Sequence, residues 1–170
     1  MIGATVETSL KEWIFKLELA GKLTLTNEAM THSVPYEDGN ALPKSYFQYV
    51  PSFEHTWQGL MGSTNVTLMA AYYGDTEGAS LRNFRPFQND LFFGARADFN
   101  DTHQNQAEIG FVKDLGNSEL AFMAQWQMRL YRELKLKIGG LILSPSEGLK
   151  TPISFFDNNS QVYSKISYSF

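Results

Sequence analysis

The stretch Gln161-Val162-Tyr163-Ser164-Lys165-Ile166-Ser167-Tyr168-Ser169-Phe170 alternates along its whole length and finishes on an aromatic residue. Val162, Ser164, Ile166, Tyr168 and Phe170 fall on one side of an extended chain, Tyr163, Lys165, Ser167 and Ser169 on the other. Successive side chains of a strand point to opposite faces. The segment therefore reads as a strand with one apolar and one polar face, its apolar row ending at Phe170.

The same period of two runs through the rest of the chain. Trp13, Phe15, Leu17 and Leu19 oppose Ile14, Lys16 and Glu18. Phe47, Tyr49, Phe53 and Trp57 oppose Gln48, Ser52, Glu54 and Thr56, with Val50 a less tidy member of the second set. Val66, Leu68, Ala70 and Tyr72 oppose Thr67, Met69, Ala71 and Tyr73. Leu91, Phe93, Ala95, Ala97 and Phe99 oppose Phe92, Gly94, Arg96 and Asp98, and Ala107, Ile109 and Phe111 oppose Glu108, Gly110 and Val112. The longest run sets Leu120, Phe122, Ala124, Trp126, Met128 and Leu130 against Ala121, Met123, Gln125, Gln127 and Arg129. Leu134, Leu136, Ile138 and Ile142 then oppose Lys135, Lys137 and Gly139. With the C-terminal segment these make eight strands, and Ile2, Ala4 and Val6 offer a ninth before a tight connection at Ser9 to Glu12. A helix over Trp126 to Ile138 fits worse, because Arg129, Lys135 and Lys137 do not gather on one face of period 3.6.

Composition narrows the class. A chain of 170 residues, 43% hydrophobic and with a net charge of -4, can bury a core and lacks the basic surplus of a nucleic-acid-binding protein. No run of about 18 apolar residues occurs, which excludes a helical membrane span. A transmembrane barrel stays open, since its strands need only about 9 to 11 alternating residues. Without cysteine there is neither a disulfide framework nor a thiolate metal site. The opening Met1-Ile2-Gly3-Ala4-Thr5 lacks the basic region of a secretory leader. For an exported barrel the expectation is a leader already removed, or a chain that is the downstream part of a longer protein.

Tyr163-Ser164-Lys165-Ile166-Ser167-Tyr168-Ser169-Phe170 resembles the C-terminal signal of bacterial outer-membrane β-barrels that the barrel-assembly machinery recognises. Lys165 stands where that signal usually has Gly. The stretch Phe87-Gln88-Asn89-Asp90-Leu91-Phe92-Phe93-Gly94-Ala95-Arg96, followed by Phe99-Asn100-Asp101, also resembles the later strands of porin-like outer-membrane proteins of no assigned substrate. The resemblance implies an assembly role for Tyr163, Tyr168 and Phe170, outer-membrane lipid and the assembly machinery as partners, and a bacterial outer-membrane location.

Connection lengths alternate in keeping with such a barrel, whose periplasmic turns are short and external loops long. Long polar loops are expected within 21–45, 74–90 and 144–160, and short links at Gly59 to Asn65, Asn100 to Gln106 and Tyr131 to Glu133. Lys113 to Ser118 is a short link where the pattern allows a long one. The long set would lie outside the cell. A real strand at Ile2 to Thr8 would then descend from the exterior, so the chain reads as the C-terminal part of a larger barrel. The rival is a complete eight-stranded barrel from about Lys11, with the first ten residues as a periplasmic tail.

The apolar set carries most of the aromatics, many near strand ends as in barrel girdles, although the inner face of a soluble sandwich or lipocalin-like barrel would also be apolar. The polar set mixes signs in mid-strand: Lys16, Glu18, Glu54, Arg96, Asp98, Glu108, Arg129, Lys135, Lys137 and Lys165. On a soluble protein these residues would form a solvated face; inside a barrel they would line a lumen. About eight strands leave room only for packed side chains, and about 16 enclose an aqueous channel. Mixed signs predict weak ion selectivity at most.

Signs of catalysis are sparse. Of His32, His55 and His103 only His55 lies in a strand, and Ser52 points to the opposite face. No cluster has zinc spacing. Asp75 with Glu77, or Asp157 with Asn158 and Asn159, has calcium-binding chemistry but reads more simply as polar turn residues. Gly139-Gly140 fits a kink relieving strand curvature. The expectation is an all-β, antiparallel transmembrane β-barrel of eight or nine strands in this chain. It would act without cofactor or catalysis as a passive channel for small polar solutes. A non-channel eight-stranded outer-membrane barrel in adhesion, surface structure or lipid contact is the alternative, followed by a soluble lipocalin-like ligand carrier.

Overall fold

The computed structural model describes residues 2–22, 45–76, 88–116, 119–145 and 160–168. Within them the alternating segments become nine strands: β1 (Ile2–Leu10), β2 (Trp13–Lys22), β3 (Tyr46–Met61), β4 (Thr64–Asp75), β5 (Asn89–Asp98), β6 (Gln106–Asp114), β7 (Leu120–Tyr131), β8 (Leu134–Ser144) and β9 (Gln161–Tyr168). They form one sheet in sequence order, and every neighbouring pair is antiparallel.

The N-terminal segment is a full strand. Its register runs from Ile2 opposite Gly21 to Leu10 opposite Trp13, closed by the two-residue turn Lys11–Glu12. This corrects the eight-stranded alternative, in which the first ten residues were a tail: the alternation of Ile2, Ala4 and Val6 continues into backbone pairing over the whole segment. The sheet is not closed into a barrel. Among the described residues β1 pairs only with β2, and β9 only with β8. Strands alternate direction along an antiparallel meander, so β1 and β9 run the same way and cannot meet in an antiparallel seam.

Odd-to-even connections all lie at one end of the sheet. Three are two-residue turns, Lys11–Glu12, Gly62–Ser63 and Arg132–Glu133, and the fourth is the compact Phe99–Asn105. The other end carries the remaining links. Most of the expected long loops, at 23–44, 77–87 and 146–159, lie outside the described residues. The loop expected at 74–90 is narrower than its sequence suggests, since β4 extends to Asp75 and β5 begins at Asn89. The link expected at Gly59 to Asn65 shrinks to Gly62–Ser63. A register shift between Trp57 and Met61, with Gly59 at φ +64°, takes up extra residues and lets pairing resume at Met61 and Thr64.

Burial is inverted with respect to a soluble sheet. Among the described residues Ala70 is the sole buried hydrophobic side chain, whereas His55, Thr64, Thr67, Asp75, Asp90 and Glu119 are buried. Large apolar side chains are exposed across the sheet, from Val6 and Phe15 through Phe53, Leu68, Phe93 and Ile109 to Ile142 and Ile166.

The Lys11–Glu12 turn holds Lys11 at φ +56°, a conformation that costs a residue with a Cβ about 1–2 kcal/mol. Glycine is favoured at the first central position of such a hairpin turn. Lys11→Gly is expected to raise stability by about 0.5–1 kcal/mol after its own entropic cost, read from the midpoint of a denaturant titration followed by far-UV circular dichroism.

Candidate functional site on the polar face

Register places all ten charged residues singled out in the sequence on one face. Lys16 lies opposite Ser52, Glu18 opposite Val50, and Ile14 opposite Glu54. Glu54 leads through Met69 to Gly94, and Thr67 stands opposite Arg96 and Asn65 opposite Asp98. Arg96 then faces Glu108, Glu108 faces Gln125, Gln127 faces Lys137, Arg129 faces Lys135 and Lys137 faces Lys165. Directly paired residues share a face of the sheet, so no member of the set strays to the apolar side.

Side-chain bonds knit the middle of this face together. Thr56 and Thr67 share a hydroxyl hydrogen bond of 2.9 Å, with Thr67 only 1% exposed. Arg96 Nε donates to Asp98 Oδ2 at 3.0 Å, and Gln106 Nε2 to Asp98 Oδ1 at 2.7 Å. Gln125 Nε2 donates to Glu108, and Tyr163 Oη to Gln125 Oε1 at 3.2 Å, which bridges β9 to β7 across β8. Farther along the sheet Lys16 pairs with Glu18. Thr56, Thr67, Gln106 and Gln125 are absent from the sequence-derived set because uncharged residues at polar positions carry no mark beyond parity.

The face is concave over β1 to β4. A depression of about 610 Å³ there is lined by Thr5, Glu18, Gln48, Val50 and Tyr73 among others. Toward the loop end stands a row of carboxylates: Asp75 on β4, Asp90 on β5, Asp114 on β6 and Glu119 just before β7. The sequence reading had placed Asp75 and Asp90 in a loop. Among the described residues no group of three or more His, Asp or Glu side chains is arranged to hold a metal ion.

The opposite face carries aromatics toward both ends. Near the turn end, Trp13 lies 4.2 Å from His55 between ring centroids, and His55 4.3 Å from Trp57. His55 is thus wedged between two indoles on the apolar face, with Ser52 on the other. Phe99 packs on Trp126 at 5.5 Å, and Trp126 Nε1 donates to Asn105 Oδ1 at 3.1 Å. In the same turn the side chain and backbone N–H of Asn105 donate to Asp101, holding its carboxyl below the usual carboxylate range. At the loop end Tyr49 and Tyr72 lie 5.9 Å apart, and Tyr72 Oη donates to Asn89 Oδ1 at 2.9 Å. Tyr49 to Trp57 spans roughly 26 Å along β3 at about 3.3 Å per residue, or roughly 20 Å with a tilt of about 40°.

Of the C-terminal aromatics, Tyr163 stands on the polar face opposite Gly139, and Tyr168 on the apolar face opposite Leu134. Phe170 lies outside the described residues. No helix among the described residues is long and apolar enough to cross a membrane. Comparison with protein-family models, curated proteins and solved structures gives no match.

The Tyr163 ring covers Gly139, where an added Cβ would meet Tyr163 Oη at 2.5 Å. Gly139→Val is expected to displace the ring and cost about 1–2 kcal/mol in a denaturant titration. In a Tyr163→Ala background most of that cost should vanish; an equal cost in both backgrounds would place its origin elsewhere.

Proposed function

We propose that this sheet is part of the wall of a bacterial outer-membrane β-barrel. Its apolar face meets lipid, and its polar face lines an aqueous lumen that passes small polar solutes without catalysis. The inverted burial carries this reading. Phe93 at 42%, Ile138 at 47% and Val162 at 87% exposure belong to an apolar face that spans the sheet, while Thr67 and Glu119 are each 1% exposed. Monomers in water rarely expose contiguous apolar patches beyond a few hundred Å². A membrane barrel turns apolar residues outward and polar residues inward.

Three further features support it. All three tryptophans stand toward the turn end and Tyr49 and Tyr72 toward the loop end, with Leu17, Leu68 and Phe93 between them, as in a lipid-facing band between aromatic girdles. Three of the four links at the turn end are two-residue turns and three of the four at the other end are long, the asymmetry of periplasmic turns and external loops. The concavity over β1 to β4 sets Glu18 and Gln48 among Thr5, Ala20, Val50 and Tyr73, a mixed lining that includes a charge, as a wet lumen accommodates. Completing nine strands with antiparallel seams requires an odd number of additional strands, giving the even total usual for bacterial barrels. A total near 16 would enclose water. Tyr163, Tyr168 and Phe170 are read as the assembly signal.

Arginine placed at the middle of a lipid-facing strand costs about 2–4 kcal/mol. Phe93→Arg is expected to lower stability in lipid vesicles by that amount, and Met123→Arg, on the polar face, by under ~1 kcal/mol. Equal penalties, or a β-rich chain that stays folded and monodisperse in buffer without detergent, would remove the membrane reading. With the remaining strands supplied, the closed barrel is expected to give stepwise conductance in planar bilayers; insertion without conductance would leave the wall and remove the channel.

A further inference from the structure

The charges on the polar face are sorted by strand. Glu7, Glu18, Glu54, Asp75, Asp90, Asp98, Glu108 and Asp114 stand on β1 to β6, where Lys16 is paired with Glu18 and Arg96 with Asp98. Within β7, β8 and β9 no carboxylate stands on that face; the carboxylates flanking these strands are Glu119, just before β7 at the loop end, and Glu133 in the turn from β7 to β8. What the three strands place there is Arg129, Lys135, Lys137 and Lys165.

These four cations are neighbours by register. Arg129 is directly opposite Lys135, and Lys137 directly opposite Lys165. Like charges directly across a ladder destabilise the pair. Among the described residues Lys135, Lys137 and Lys165 make no ion pair that would offset the repulsion. Arg129 Nη2 is held by Gln104 Oε1 at 2.6 Å, a neutral acceptor, and its Nε has no hydrogen-bond partner among the described residues. The strip begins at the Arg132–Glu133 turn and runs to mid-strand, with Ser167, Gln127 and Tyr163 supplying hydroxyls and an amide around it.

We infer that this strip on β7 to β9 is a binding subsite for small anions bearing phosphate, carboxylate or sulfonate groups. A bound anion supplies the counter-charge that the protein withholds, which accounts for two like-charge pairs being kept side by side. A wall lined by charge of one sign also raises the local concentration of its counter-ion. The subsite rests on the polar face being a lumen, and it is local to β7 to β9, since carboxylates outnumber cations over β1 to β6. Mixed signs in the sequence cancel only where the strands bring them together.

The test is fluorescence anisotropy of the trisulfonated dye pyranine titrated with the full chain, in whichever of buffer or detergent micelles the chain folds, with inorganic phosphate as competitor. Loss of one unit charge close to a bound anion corresponds to about a fivefold change in affinity. Lys137→Gln and Lys165→Gln should each weaken dye binding by about that factor, while Lys11→Gln, with the same loss of net charge at a distant turn, should leave it unchanged. Lys165→Glu should abolish binding and raise the thermal midpoint, because it turns a repulsive pair into an attractive one. That gain guards against misreading a folding defect as lost affinity. Equal weakening by Lys11→Gln, or unaltered binding in Lys165→Glu, would overturn the subsite. In bilayers, conductance that pyranine fails to reduce would overturn the subsite and leave the channel, whereas dye binding without conductance would keep the subsite and remove the channel.

Discussion

The backbone ladder is the constraint on which everything else depends. Pairing runs from β1 to β9 with register shifts only beyond Trp57 on β3 and beyond Arg129 on β7, both toward the turn end. Because side chains alternate with a period of two, a slip of one residue anywhere between would move every later side chain to the other face. The short turns keep the count. Their tightness sets which residues of adjacent strands stand opposite, and so how ten charged residues spread over 150 positions of sequence come to share one surface.

Two faces formed in this way pose an energetic problem that water does not solve. Removing apolar surface from water contributes about 25 cal/mol per Å², and this sheet leaves Val6, Phe15, Phe93, Ile138 and Ile166 outside any second layer. Its own stabilising contacts are lateral: Trp13 against His55, Phe93 against Phe111 at 5.4 Å, and Phe99 against Trp126. The polar face is the better enclosed of the two, with Thr67 bonded to Thr56 and Asp98 accepting from both Arg96 and Gln106. A sheet organised in this manner leaves its apolar face to be covered and bonds its polar face within itself.

Glycines and aromatics shape the sheet in matched positions. Tyr49 leans over Gly74 and Tyr163 over Gly139, each directly opposite in register, while the Phe92 ring sits close to both Gly94 and Gly110. A ring laid across a glycine restores the packing that a missing side chain forfeits and pins the register locally. This accounts for Gly139 more fully than the curvature kink expected from the Gly139-Gly140 pair alone.

The sequence by itself determined the strand segments, the two sides of each strand and the placing of Lys16, Glu18, Glu54, Arg96, Asp98, Glu108, Arg129, Lys135, Lys137 and Lys165 on the polar side of its own strand. All of these follow from local alternation, which a single strand already expresses. It left open whether Ile2 to Leu10 pairs, because one short alternating segment has no meaning without a partner. It also missed the Thr56–Thr67 bridge, the carboxylate row of Asp75, Asp90, Asp114 and Glu119, and the sorting of unpaired cations onto β7 to β9. Those depend on which residues of different strands stand opposite one another, and only the tertiary register decides that. The openness of the sheet is likewise a tertiary fact: the shared direction of β1 and β9 emerges from counting nine paired strands, and no individual strand carries it.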